Sequence, residues 1–334
     1  MGRLSELDSL RGIACLFVLL FHYTTQYAKA FETEATLQLL NFKYGGYGVD
    51  LFFVISGFVI FLTINKVKTP TDFVYKRFSR LYPTFWICVC ITFFLVNASE
   101  LNIYHRSINE LIINLTMVPD LFGVRRIDGV YWSLLPELFF YFLMFNLLIF
   151  NKVKSINLIC FIWLLLIGIN SYSDVMPIRV LLNLRFGYLF ILGINFYKIK
   201  VREANWQNHL LIILSFFTSF FVNDSLIKHT IVALIIAVFY LFSYGYLKWL
   251  KFKFLIKIGE ISYALYLLHQ FIGFVIISKL INLGVENGVV LLIVPTVIVL
   301  ILAFFVTEYM EKPINRFMRD LWNKKFGVLK NRVS

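Results

Sequence analysis

Apolar residues run through this chain in long blocks, and short polar stretches between the blocks carry most of the charge. A block of about 18 apolar residues is long enough to cross a bilayer as a helix. Read in order, the blocks predict ten helices, at about 11–28, 47–65, 82–97, 130–150, 155–172, 180–197, 208–223, 227–247, 259–281 and 288–310. Residues 101–120 are amphipathic and are expected in or near a membrane interface. Alternation at a two-residue period, the mark of a transmembrane barrel, is nearly absent. The predicted fold class is all-α, a polytopic transmembrane bundle of about ten helices.

Composition agrees. The 334 residues are 60% hydrophobic and only 15% charged, against about 25% charged in a soluble domain. Thirty-seven Phe and 18 Tyr exceed what one water-soluble core can hide. The net charge of +13 would suggest nucleic acid in a soluble protein. In a membrane chain Lys and Arg collect on cytoplasmic loops, so no nucleic-acid partner is expected. With the N-terminus placed inside, the cytoplasmic segments hold 23 of the 32 basic residues. Arg3, Arg11, Lys76, Arg77, Arg80, Lys198, Lys200 and the tail Lys312–Arg332 are among them, while Lys228 counts with the outer loops. One missed helix would invert every later loop, so both termini are expected to be cytoplasmic.

The N-terminal apolar run followed by Ala28-Lys29-Ala30 has the outline of a signal peptide. Glu6, Asp8 and His22 argue instead for a retained first helix. A single membrane domain over 1–334, with a short cytoplasmic tail at 312–334, is expected. Cys15, Cys88, Cys90 and Cys160 lie in apolar segments without CxxC spacing, and read as small buried hydrophobes. No zinc-like spacing, Walker A sequence or dinucleotide fingerprint is present, so no metal is expected.

Ionisable residues inside a bilayer cost a few kcal/mol each and usually mark function. Arg11 and His22 are eleven residues apart, on one face of a helix and about 16 Å apart along it. Asp50 and Ser56 share the second helix. Glu137, in Trp132-Ser-Leu-Leu-Pro-Glu137, falls at nearly the depth of His22, and the two form a candidate acid/base pair. His269, in Ser262-Tyr-Ala-Leu-Tyr-Leu-Leu-His269, also reaches mid-membrane and competes with His22. Arg77 and Arg80 are three apart beside the third helix, and guanidinium groups suit phosphate. Each feature has a plainer reading: structural ion pairs, a satisfied core histidine, small residues that let helices pack, or ordinary loop charge. A proton-coupled transporter or flippase also fits buried His, Glu and Asp, although no paired halves are visible.

Six segments, in order, resemble the membrane acyltransferase-3 family. They are Leu7-Asp-Ser-Leu-Arg11-Gly12 with His22, Gly48-Val-Asp50-Leu-Phe-Phe-Val-Ile-Ser56-Gly57-Phe58, Arg77-x-x-Arg80-Leu-Tyr-Pro83, Trp132-Ser-Leu with Glu137, Ile261 to His269, and Glu311-Lys312-Pro313. The resemblance covers roughly residues 4–320. It implies transfer of an acyl group, commonly acetyl, from cytoplasmic acyl-CoA to a hydroxyl of a surface carbohydrate or lipid-linked sugar, in a bacterial inner or plasma membrane. It carries the family's arginine–histidine motif onto Arg11 and His22, and its arginine pair onto Arg77 and Arg80. On this reading His22 and Glu137, with Arg11, perform the chemistry. Arg77, Arg80 and Arg11 hold acyl-CoA as a co-substrate, with no permanently bound cofactor. Asp50, Ser56, Trp132 and His269 face the acceptor.

Overall fold

The computed structural model describes residues 4–31, 41–173 and 175–330, without the side chains of 325–330. Among the described residues there are helices and turns but no strands. The helices are α1 (Ser5–Phe21), α2 (Tyr27–Phe31), α3 (Gly48–Ile64), α4 (Pro70–Asn97), α5 (Ile108–Asn114), α6 (Leu134–Ile149) and α7 (Ile156–Ser173). They continue as α8 (Met176–Leu181), α9 (Gly187–Lys200), α10 (Trp206–Val222), α11 (Leu226–Ser243), α12 (Lys253–Asn282), α13 (Gly288–Phe305) and α14 (Lys312–Lys330). Two π-helical turns, His22–Gln26 and Val306–Glu311, join α1 to α2 and α13 to α14.

Every predicted span has a helix. Among the described residues, eight helical stretches are long and apolar enough to cross a membrane: Ser5–Phe31, Lys43–Ile64, Pro70–Asn97, Gly129–Ile149, Val153–Ser173, Leu226–Ser243, Lys253–Asn282 and Gly288–Lys324. The other two predicted spans are shorter. Helix α10 has 17 residues and α9 has 14, or about 25 and 21 Å at 1.5 Å per residue, against a hydrocarbon core of about 30 Å.

The chain divides into two compact units. The first comprises residues 1–18, 44–73 and 133–260. Its centre is α9, on which every side chain except Lys198 and Lys200 is buried. Helices α3, α7, α10 and α11 surround it. Gly57 of α3 and Gly193 of α9 let two backbones touch. A Cβ on Gly57 would lie 2.2 Å from the Phe190 carbonyl oxygen, and one on Gly193 would lie 2.1 Å from that of Val54. In lipid, such small-residue contacts supply the dispersion energy that hydrophobicity cannot. Phe190 stacks on Phe140 of α6 at 4.3 Å between centroids, which ties a third helix to the crossing. Asparagines add polar cohesion: the Asn208 amide donates to Asn195 Oδ1 at 2.8 Å.

The second unit comprises residues 19–43, 74–132 and 261–334. Here the Tyr263 hydroxyl of α12 donates to the Leu81 carbonyl of α4 at 3.1 Å. Tyr75, near the start of α4, stacks on Trp322 of α14 with centroids 4.0 Å apart. The amphipathic segment after α4 does not run off along a surface. Arg106 is fixed to Asn97 by two hydrogen bonds, and the Leu115 carbonyl accepts from Trp86 at 2.9 Å. Trp86 precedes Asn97 by eleven residues, about 16 Å along α4. The segment therefore folds back along its own helix, opens α5 with a capping box from Ser107 and Glu110, and leaves Ile108 and Ile112 exposed. Four of its charged side chains pair with one another, Arg125 with Glu110 at 3.1 Å and Arg126 with Asp120 at 2.7 Å.

The α3–α9 crossing has no room for a methyl group. Gly193→Ala is expected to destabilise the first unit by at least about 2 kcal/mol through backbone displacement. Thermal unfolding of detergent-solubilised protein, followed by loss of the monodisperse chromatographic peak, measures this.

Candidate active site

His22 opens the π-helical turn, and His22, Tyr23, Thr24 and Thr25 are all buried. Such turns are rare and often occur at functional sites. Sequence neighbours diverge by about 100° on an α-helix. In this wider turn both His22 and Tyr23 reach one residue of α12, His269. His22 Nδ1 lies 3.1 Å from His269 Nε2, and the Tyr23 hydroxyl donates to the His269 carbonyl at 2.8 Å. Gly273, one turn further along α12, makes the space: a Cβ there would lie 2.1 Å from the Tyr23 ring. His269 is fully buried.

The hydrogen bonds assign the tautomers. His269 Nδ1 is 2.8 Å from the Tyr266 carbonyl oxygen. A carbonyl only accepts, so Nδ1 of His269 carries its proton. Neutral His269 then presents a lone pair at Nε2, and His22 must donate to it from Nδ1. Neutral His22 therefore carries its own lone pair at Nε2, and a lone pair on a ring nitrogen is what a general base needs. The sequence reading brought both histidines to mid-membrane as competitors. The structure places them in direct hydrogen-bond contact.

The turn of α12 that holds His269 is itself gripped from 128–131, just before α6. Asp128 accepts from the Phe271 backbone N–H at 2.9 Å and from that of Val130 at 3.1 Å. The Tyr131 hydroxyl donates to the Leu267 carbonyl at 3.2 Å, and the Tyr266 hydroxyl donates to the Val130 carbonyl at 3.1 Å. Trp132, in the same stretch, is half-buried. Asp128 and Tyr131 were not singled out in the sequence. An aspartate one residue before an apolar span was the available signal.

Glu137 belongs to the first unit and lies in the first turn of α6. Its Oε1 accepts from the Ser56 hydroxyl at 2.8 Å and from the Tyr141 hydroxyl. Ser56 and Glu137 were predicted separately and come together. Asp50, in the first turn of α3, forms a buried ion pair with Lys228 of α11, whose ammonium sits 5.0 Å from the Tyr47 ring centroid. Lys228, which the charge pattern counts with the outer side, is thus the partner of a carboxylate within the helices. It is 7% exposed, because the carboxylate it needs lies on the neighbouring helix. Arg11 is half-buried on α1, Arg77 is half-buried on α4 and Arg80 is exposed there. No group of three or more potential metal ligands occurs among the described residues. The four cysteines form no disulfide with one another.

Removing one member of a buried ion pair strands the other. Asp50→Ala and Lys228→Met are each expected to cost about 3–5 kcal/mol. The double substitution Asp50→Leu with Lys228→Met should regain most of that loss. Denaturation of the three variants in one detergent tests the pairing.

A family model described as an acyltransferase domain matches residues 4–308. Among curated proteins, the acyltransferase MdmB of Streptomyces mycarofaciens is 28% identical over 145 residues, 42% of this chain and 38% of that protein. The exopolysaccharide production protein ExoZ of Rhizobium meliloti (strain 1021) is 40% identical over 48 residues, 14% of this chain and 15% of that protein. The matches thus span well under half of either relative. No solved structure matches.

Proposed function

The chain belongs to the acyltransferase domain family, whose model covers residues 4–308, and from that premise we propose that it moves an acyl group, acetyl in our reading, from acyl-CoA to a hydroxyl of a cell-surface carbohydrate or lipid-linked sugar. The observation that carries the proposal is the His22–His269 contact, because it leaves a base-competent nitrogen on the histidine of the family motif. The name of the exopolysaccharide-related relative supports a glycan acceptor. We place the reaction in a bacterial inner or plasma membrane, with both termini and the donor on the cytoplasmic side.

In this mechanism His22 Nε2 takes the proton of the acceptor hydroxyl as its oxygen attacks the thioester carbonyl. The carbon–sulfur bond breaks, the acyl group stays on oxygen, and the CoA thiolate recovers the proton from His22. The imidazolium formed in between keeps its Nδ1–H on His269, which shares the charge in a site shielded from water. His269 meets the need for an orienting partner. The Ser56–Glu137 pair we assign to the acceptor, whose hydroxyls require a donor and an acceptor inside an apolar bundle, and we assign Asp50 and Trp132 to the acceptor as well. Arg77 and Arg80 hold the CoA phosphates, together with Arg11 of the motif.

The test is made in cells that lack the chain and are complemented with variants. Mass spectrometry of their surface glycans should show an acyl mass with the wild type, reduced by about 10²–10⁴-fold with His22→Ala, while the purified variant still binds radiolabelled acetyl-CoA. Normal acylation by His22→Ala would remove the base assignment. Arg77→Ala with Arg80→Ala should weaken acetyl-CoA binding, and an unchanged affinity would remove the phosphate role.

A further inference from the structure

Four backbone groups within six residues of α12 are held by side chains. The Tyr266 carbonyl accepts from His269 Nδ1, the Leu267 carbonyl from Tyr131, the His269 carbonyl from Tyr23, and the Phe271 N–H donates to Asp128. Leu267 and Phe271 are the two ends of one i to i+4 rung of the helix, and the 128–131 stretch engages both. Tyr266 closes the arrangement by donating back to the Val130 carbonyl. Asp128 and Tyr131 are both buried, Asp128 completely. A buried carboxylate that accepts from a helix-interior N–H is costly to place. It needs a reason beyond packing, since the helix can satisfy that N–H itself.

We propose that Asp128 and Tyr131 are positioning residues that hold the α12 turn so that His269 fixes the tautomer of His22. The argument rests on the reading of His22 as the base. Free histidine in water favours the proton on Nε2, which would put a donor where a base is needed. The contact with His269 enforces the opposite tautomer, with the proton on Nδ1. That contact spans 3.1 Å, and a displacement of the turn by 1 Å is enough to break it. The segment that applies the grip is continuous with the fold-back against α4. Asn114 of α5 joins them by donating to the Arg125 carbonyl and accepting from the Ile127 N–H.

The side-chain chemistry is specific. An ionised Asp128 is acceptor-only, and it faces two N–H donors. Asp128→Asn turns one acceptor into a donor and sets an amide against one of them. Tyr131→Phe removes only the hydroxyl that engages Leu267 and keeps the ring, which packs edge-on to Phe85 at 5.3 Å between centroids.

The experiment is 15N NMR of the full chain, labelled at its five histidines and held in nanodiscs, with His22 and His269 assigned by His22→Ala and His269→Gln. Wild type should show His22 protonated at Nδ1 and unprotonated at Nε2. Asp128→Asn and Tyr131→Phe should each shift His22 toward the Nε2-protonated form. Glycan acylation in complemented cells should fall by up to about 100-fold, with acetyl-CoA affinity unchanged. Tyr131→Phe is the mild substitution and keeps the test valid if Asp128→Asn does not fold. A wild-type histidine spectrum in Tyr131→Phe, or unaltered acylation despite a shifted tautomer, would overturn the proposal. Full acylation by His22→Ala would instead defeat the base reading, whatever the spectra show.

Discussion

Water is missing from the interior of a membrane bundle, so each polar group there must find its partner inside the protein. That constraint shapes the features on which the candidate chemistry depends. Asp50 could not stand in α3 without Lys228 in α11. Glu137 gathers two hydroxyls. His22 donates to His269, and the hydrogen-bond chain ends on a backbone carbonyl. In water these groups could be satisfied in many ways. Away from water each has few solutions, and the few that exist fix protonation sites as well as positions.

The same absence of water changes what holds helices together. With lipid as apolar as leucine, burial gives little preference for one helix neighbour over another. Close approach and shape take its place. Helix α9 is buried on nearly every side chain because its glycine crossing with α3 and its asparagine bonds with α10 fix it among its neighbours. It is also among the shorter elements that the hydropathy pattern reads as a span. A helix enclosed by other helices is not matched directly to bilayer thickness, so its length follows its neighbours.

The apolar blocks made the helices legible, because a bilayer imposes a length and a composition on anything that crosses it. The buried charges were legible one at a time for the same reason. Their partners were not. Lys228 looked like a charge of the outer side because it stands only three residues into α11, and only its ion pair with Asp50 of α3 reveals its carboxylate. Ser56 and Glu137 were each conspicuous, yet 81 residues separate them in the chain. The fold-back of 106–127 was invisible, because amphipathic periodicity reports that a segment has an apolar face and not what it lies against. The π-helical turn at His22 has no periodic signature at all: a five-residue turn is too short to disturb the pattern of a helix more than twice as long.

Depth alone made His22 and His269 look like rivals for one role. Geometry removes the rivalry, because the two rings sit in series on one hydrogen-bond chain that begins at the Tyr266 carbonyl. An acceptor at one end forces a donor at each successive step, and the lone pair emerges at Nε2 of His22. A carbonyl cannot ionise, so the direction of the chain is set by the backbone and does not depend on a charged residue nearby. This differs from a base oriented by a carboxylate, where the partner's charge also raises the basicity of the imidazole. The backbone-anchored version fixes orientation without adding a negative charge beside the anionic thioester donor of the proposed reaction. Its weakness is mechanical, since a carbonyl is only as well placed as its helix turn. A clamp on that turn from Asp128 and Tyr131 answers that weakness.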